Sequence, residues 1–147
     1  MSAPPSRRRL LQLAGAAAST LWLPRSAWSQ PRLADNPFAL GVASGSPTHD
    51  SVVLWTRLLP TGLFGPSTLG AAPVTVRWEV ADDEGFTRIV RSGQAQALAE
   101  LAHSVHVEVG GLASDRWYFY RFMAGDAVSP VGRTRTFPAP GAPASRL

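Results

Sequence analysis

The sequence predicts an all-β domain, an antiparallel β-sandwich of six to seven strands of the immunoglobulin or fibronectin type III kind. Three observations favour this fold. Short β-branched and aromatic segments recur after residue 50, clusters of Gly, Pro, Asp and Ser separate them, and almost no segment has the 3.6-residue period of a helix. A parallel α/β fold is disfavoured because its strands are joined by helices.

The strand-like segments follow one another along the second two-thirds of the chain. The predicted strands lie at residues 52–58, 74–80, near 89–90, 105–109, 117–123 and 132–137. Val74–Val80 shows the clearest alternation, since every second residue is apolar and those side chains share one face. Asp82–Gly85 is predicted to be a polar turn after this strand. Residues 94–101 fit either a continued strand or one helical turn.

Alternation along each strand also predicts which side chains form the core. We expect the following residues to be largely buried: Trp55, Val76, Trp78, Val105, Val107, Tyr118 and Tyr120. Their neighbours along the strands are expected to face outward: Arg77, Glu79, His106 and Glu108.

Residues 1–29 are predicted to be a cleavable twin-arginine (Tat) export signal. A basic segment is followed by the apolar run Leu10–Leu23 and by small residues that end at Ser29. Arg7 and Arg8 form the arginine pair before the apolar run, which the Tat export machinery reads. The run is shorter than the about 20 residues of a membrane-spanning helix, so we expect a periplasmic or extracellular protein with no stable membrane span after cleavage. An uncleaved amphipathic helix is disfavoured because the run has no polar stripe.

Charge and cysteine content exclude several classes of function. All 14 basic residues are Arg, and four of them lie within the first 25 residues, so the remaining ten balance the ten acidic residues. A neutral domain lacks the basic surface of a nucleic-acid-binding protein, and we expect no nucleic-acid partner. The absence of Cys removes disulfides and thiol nucleophiles.

Two segments resemble catalytic or metal-binding motifs only in part. In Gly41–Gly45 the serine stands next to the second glycine and no helix follows, so a loop is favoured over a serine-hydrolase elbow. His103 and His106 are three residues apart on a predicted strand and therefore point to opposite faces. We expect no catalytic, cofactor-binding or metal-binding residue in this chain.

Two charged groups are candidate ion-binding sites, and two further segments are predicted to lack strands. Asp82–Gly85 lacks the alternate spacing of a calcium-binding loop. Arg133 and Arg135 share a strand face, where a solvated pair is favoured over an anion clamp. Residues 59–73 form a Gly- and Pro-rich loop that carries Leu63 and Phe64, and residues 138–147 form a Pro- and Ala-rich linker or tail.

Ordered blocks of the chain carry a resemblance to a known family. These blocks are Asn36–Pro47, Asp50–Leu58, Val76–Ala81, His103–Val109, Leu112–Phe122 and Ser129–Thr136. Over nearly all of residues 36–137 the sequence resembles the N-terminal domain of alkaline phosphatase D, the PhoD-type phosphatases and phosphodiesterases, and we assign residues 30–137 to such a β-sandwich domain. The resemblance implies a β-sandwich that precedes a metallophosphatase domain, with Ca and Fe as the metals of the parent enzymes.

The resemblance implies that the catalytic domain lies beyond the end of this chain, so none of its metal ligands is carried over. We therefore expect a non-catalytic module that packs on a metallophosphatase domain absent from this chain or separately encoded. The alternative is a free-standing periplasmic binding module that uses exposed aromatic side chains. A third possibility, an independent phosphatase, is disfavoured because no residue matches a catalytic position.

The strand at residues 117–123 is apolar on both faces and suggests where the catalytic domain docks. We expect Tyr118, Tyr120 and Phe122 to enter the core. The opposite face then presents an exposed apolar patch, which we interpret as an inter-domain surface. Its predicted members are Trp117, Phe119, Arg121, Leu63 and Phe64. Equally, the long loop or the tail could fold over this face within the chain.

Overall fold

Two antiparallel sheets are present in the computed structural model, which describes residues 36–59 and 69–142. The described strands are β1 (Val42–Gly45), β2 (Val52–Arg57), β3 (Val74–Ala81), β4 (Ile89–Ala97), β5 (Ser104–Val109), β6 (Trp117–Ala124), β7 (Ala127–Val128) and β8 (Gly132–Arg135). In these residues the helical content is one 3₁₀ turn, Ala99–Leu101. None of the described segments is a helix long and apolar enough to cross a membrane.

One sheet has the strand order β1-β2-β5, and the other has the order β4-β3-β6, with β7 and β8 both on the far edge of β6. All pairs are antiparallel. The predicted all-β sandwich is therefore confirmed, although the described residues contain eight strands where six to seven were predicted. The additional strands are the short β1 and β7.

The loop predicted at residues 41–45 is wrong, because Val42–Gly45 is the edge strand β1. Val42 pairs with Thr56 and Gly45 with Val53 of β2. Sequence patterns do not predict β1 because it contains Ser and Gly, and neither residue favours strands on its own. The long β2 provides the pairing partner that local propensity does not predict.

Strand β4 and the turn after it resolve the two alternatives left for residues 94–101. The strand continues to Ala97 and the 3₁₀ turn follows at Ala99–Leu101, so each alternative holds for part of the segment.

The predicted turn near residue 83 is present, and Asp83 accepts hydrogen bonds from the backbone N–H groups of Thr87 and Arg88. The bond from Thr87 is the main reason why the pKa of Asp83 lies below its usual value.

The core lies between the two sheets and follows the predicted alternation in most strands. Its buried members include Val52, Leu54, Leu58, Val76, Val80, Val105, Val109, Tyr118, Tyr120 and Phe122. Trp78 and Val107 are only partly buried, and they pack against this cluster. Arg77, His106 and Glu108 are exposed and Glu79 is half-exposed, as their outward positions predict.

Trp55 is a correction to the predicted core. The inward face of β2 consists of Val52, Leu54 and Thr56, so Trp55 lies on the outer face beside His106, with 6.3 Å between ring centroids. β2 is apolar on both faces, and alternation alone does not select the inner one. Thr56 tolerates complete burial because its hydroxyl donates to the carbonyl of Gly41 at 3.0 Å.

Two aromatic side chains of the second sheet each lie over a glycine on the neighbouring strand. Trp78 faces Gly93 of β4, and Tyr120 faces Gly132 of β8. A Cβ atom at Gly93 would lie 2.5 Å from the Trp78 ring, and one at Gly132 would overlap the Tyr120 ring. These glycines are therefore required by the space that the rings occupy.

We predict that Gly132→Ala lowers the free energy of unfolding by about 1–3 kcal/mol, because the added methyl group displaces the Tyr120 ring from the core. Urea unfolding measures the change. Gly45→Ala is the matched control, since nothing lies within 4 Å of a Cβ at that strand glycine. Equal unfolding midpoints for the two variants would contradict the close approach of Tyr120.

Candidate inter-domain surface

The predicted inter-domain residues of β6 lie together on the outer face of the second sheet. Trp117 pairs with Arg135 of β8, Phe119 with Arg133 of β8, and Arg121 with Glu79 of β3. Tyr118, Tyr120 and Phe122 point the other way and are buried, which confirms the predicted orientation of β6. The outer face is therefore formed by the odd-numbered residues of β6 and by their neighbours on β3 and β8.

Trp117 is the most exposed aromatic side chain of this face, with 46% of its surface accessible. The guanidinium carbon of Arg133 lies 3.9 Å from its ring centroid, and that of Arg135 lies 5.6 Å away. A guanidinium at this distance is attracted to the ring as a cation–π pair. Arg135 also forms an ion pair with Asp115, with 2.5 Å between Nη2 and Oδ1. Trp117 is therefore held in place by two arginines.

The expected bare apolar patch is only partly present, and guanidinium groups lie over two aromatic rings, those of Trp117 and Phe86. Phe119 is half-buried, where exposure was expected. Arg121 lies 4.1 Å from the ring centroid of Phe86 and forms an ion pair with Glu79, with 2.7 Å between Nη2 and Oε2. An Arg guanidinium packs readily on an aromatic ring, because the group is planar and only weakly hydrated.

Leu63 and Phe64, the other predicted members of this surface, lie outside the described residues. The same is true of the export-signal residues Arg7 and Arg8. Sequence reasoning did not include Arg133, Arg135, Glu79 and Phe86 in the surface. These four residues belong to the surface because of the register of β6 against β3 and β8 and because of the cation–π contacts at Trp117 and Phe86.

Hydrogen bonds fix the segment that follows β8 against the turn that leads into Trp117. Thr136 is buried, and its hydroxyl donates to the carbonyl of Ala113 at 2.7 Å and accepts from the N–H of Arg116 at 3.1 Å. The N–H of Phe137 donates to the carbonyl of Thr48 at 2.7 Å. The segment after β8 is thus anchored to the turn between β1 and β2 and to the turn that joins β5 of the first sheet to β6 of the second.

Tyr118 anchors the same turn from inside the core. Its hydroxyl accepts a hydrogen bond from the backbone N–H of Ala113 at 2.8 Å. A tyrosine near the start of this strand that bonds the backbone a few residues upstream is a recurrent feature of immunoglobulin-like sandwiches. Tyr118 and Thr136 together position the turn that carries Asp115 and leads into Trp117.

The described residues contain no cluster of possible metal ligands. In residues 36–59 and 69–142 no group of three or more His, Asp or Glu side chains could hold a metal ion. His103 is buried just before β5 and its Nδ1 lies 3.3 Å from the carbonyl oxygen of Ala97, while His106 is exposed on β5.

Tyr120 is the other titratable group with an altered environment. Burial raises the pKa of its hydroxyl, and a hydrogen bond with Ser44 acts in the opposite direction. The hydrogen bond therefore joins β1, an edge strand of the first sheet, to β6, an inner strand of the second sheet. Burial of the Tyr120 ring in the core is thus the cause of the raised pKa.

Comparison with known proteins gives the family. Residues 24–138 match the family described as "PhoD-like phosphatase, N-terminal domain". The chain belongs to this family. The predicted resemblance to the N-terminal domain of alkaline phosphatase D is thereby confirmed.

Individual relatives agree with this assignment to the PhoD-like N-terminal domain family. The chain is 56% identical over 112 residues to alkaline phosphatase D of Bacillus subtilis (strain 168), covering 76% of this chain and 19% of that protein. A solved structure of PhoD matches with a TM-score of 0.73 and 55% identity, over 76% of this chain and 21% of the other. The chain thus spans about a fifth of the length of these relatives.

A fibronectin type III domain derived from the human KIAA0970 protein supports the fold alone. Its solution structure matches with a TM-score of 0.52 at 13% identity, covering 100% of this chain and 96% of that chain. The fibronectin type III-like form predicted from the sequence is therefore confirmed.

We predict that Tyr118→Phe lowers the free energy of unfolding by about 1–3 kcal/mol, because the N–H of Ala113 loses its acceptor. Thr136→Val, which removes the second anchor of the same turn, is expected to have a similar cost. The double variant should cost less than the sum of the two, since both hydroxyls stabilise one turn. Urea unfolding of the four proteins measures the coupling, and strictly additive costs would show that the anchors act independently.

Proposed function

We propose that this chain is the non-catalytic N-terminal module of an exported enzyme similar to alkaline phosphatase D, and that it packs on the metallophosphatase domain of that enzyme. Family membership supports the module, and the length of the relatives supports a larger neighbouring domain. The outer face of β6 is the docking surface. The catalytic chemistry and its metals belong to the neighbouring domain.

The observation that carries this proposal is Trp117, a large aromatic side chain exposed beside the point where the chain leaves the domain. Tryptophan and arginine are enriched at the centres of protein interfaces. The anchored residues Thr136 and Phe137 give the following segment a fixed starting point. A neighbouring domain that begins there is held close to the outer face of β6.

We predict that the two domains associate without a covalent link and that Trp117 contributes to this association. A chimera is built in which residues 24–138 replace the matching segment of the Bacillus subtilis enzyme, with a protease site after Pro138. The chimera folds as a full-length chain and is then cleaved, and the dissociation constant of the two parts is measured. Trp117→Ser should weaken association at least about tenfold, because interface tryptophans contribute strongly to binding.

Trp55→Ser is the matched control for this experiment. Trp55 is also a partly exposed tryptophan, but it lies on the outer face of the other sheet. This variant should leave the dissociation constant unchanged. Immediate separation of the two parts after cleavage would contradict the proposed function and would favour a free-standing module.

We also predict that export depends on the arginine pair at the N-terminus. Replacing Arg7 and Arg8 together by Lys should retain the precursor in the cytoplasm, because the receptor reads the guanidinium pair as well as its charge. Arg9→Lys is the control and should be exported. Fractionation of cells that express each variant gives the result, and normal export of the double Lys variant would indicate the general secretory route.

A further inference from the structure

The outer face of β6 carries more positive than negative side chains. Arg121 is paired with Glu79, and Arg135 is paired with Asp115. Two further arginines of this face, Arg77 of β3 and Arg133 of β8, are exposed. In the part of the chain that the structure describes, neither forms an ion pair with a carboxylate.

Arg133 is already oriented for a partner, unlike an ordinary surface arginine. Its guanidinium carbon lies 3.9 Å from the ring centroid of Trp117, and Trp117 is in turn fixed at the start of β6. Contact with the ring occupies one face of the group, while its N–H donors lie in the plane of the guanidinium. Holding the side chain in one conformation before binding reduces the entropy that an ion pair costs.

The position of Arg133 favours the neighbouring domain as the source of the missing carboxylate. Arg133 precedes Phe137 by four residues, and Phe137, two residues beyond the end of β8, is hydrogen-bonded to Thr48 and Asp115. Arg77 lies opposite Met123 and Arg133 opposite Phe119, so the two arginines are about 16 Å apart by strand geometry. A segment tethered at Phe137 reaches Arg133 first.

We infer that Arg133, held by Trp117, forms an ion pair with a carboxylate of the domain that follows Phe137 in the alkaline phosphatase D-like enzyme. The docked surface of that domain is therefore acidic rather than purely apolar. This inference rests on the proposed function and names the chemistry of the partner surface. Trp117 then has two roles, since its ring packs at the interface and also positions Arg133.

The cleaved chimera tests this inference through charge. Arg133→Gln should weaken association about tenfold and reduce the dependence of the dissociation constant on NaCl concentration, because one interfacial charge pair is removed. Arg133→Lys keeps the charge but loses the planar contact with Trp117, and it should give an intermediate dissociation constant. Arg57→Gln, on the other sheet, is the control and should match the unaltered chimera in both readouts.

The outcomes separate the two proposals. If the parts remain associated and Trp117→Ser weakens them, while Arg133→Gln and Arg57→Gln behave alike at every salt concentration, the carboxylate partner is wrong and the docking surface stands. If the parts do not associate at all, both proposals fail. Thermal unfolding of each isolated variant confirms that the substituted domain remains folded.

Discussion

The pairing of β6 on both of its edges is the constraint on which the rest of the structure depends. β3 lies along one edge and β7 and β8 along the other, so β6 cannot shift its register without breaking two ladders. Because β6 is apolar on both faces, this register decides which aromatics form the core and which form the surface. Tyr118 reinforces it from inside through its bond to Ala113.

Covering an aromatic surface with guanidinium groups reconciles two demands on this face. A large bare patch of aromatic side chains would promote aggregation, whereas a fully polar face would bind a neighbouring domain weakly. Arg133 and Arg135 lie on Trp117, and Arg121 lies on Phe86. Arg121 and Arg135 are paired with carboxylates of this chain, whereas Arg133 is exposed, so a carboxylate of a partner can replace the water around it.

Alternation predicted the fold and the orientation of β6, but it did not predict the surface in full. The strands β2, β3, β5, β6 and β8 lie where the sequence placed them, because their apolar residues alternate or cluster. Alternation failed for β1, whose pairing is tertiary, and for Trp55, whose strand is apolar on both faces. The stacking of Arg133 on Trp117 depends on the register between two strands, which the sequence of either strand alone does not contain.

The central claim is that the outer face of β6 is covered by a neighbouring domain, and radical footprinting measures this directly. Oxidation of Trp117 and Trp55 is quantified by mass spectrometry in this chain alone and in the uncleaved chimera with the Bacillus subtilis enzyme. The account predicts that oxidation of Trp117 falls severalfold in the chimera while oxidation of Trp55 stays the same. Equal oxidation of Trp117 in both proteins, or selective protection of Trp55, would contradict it.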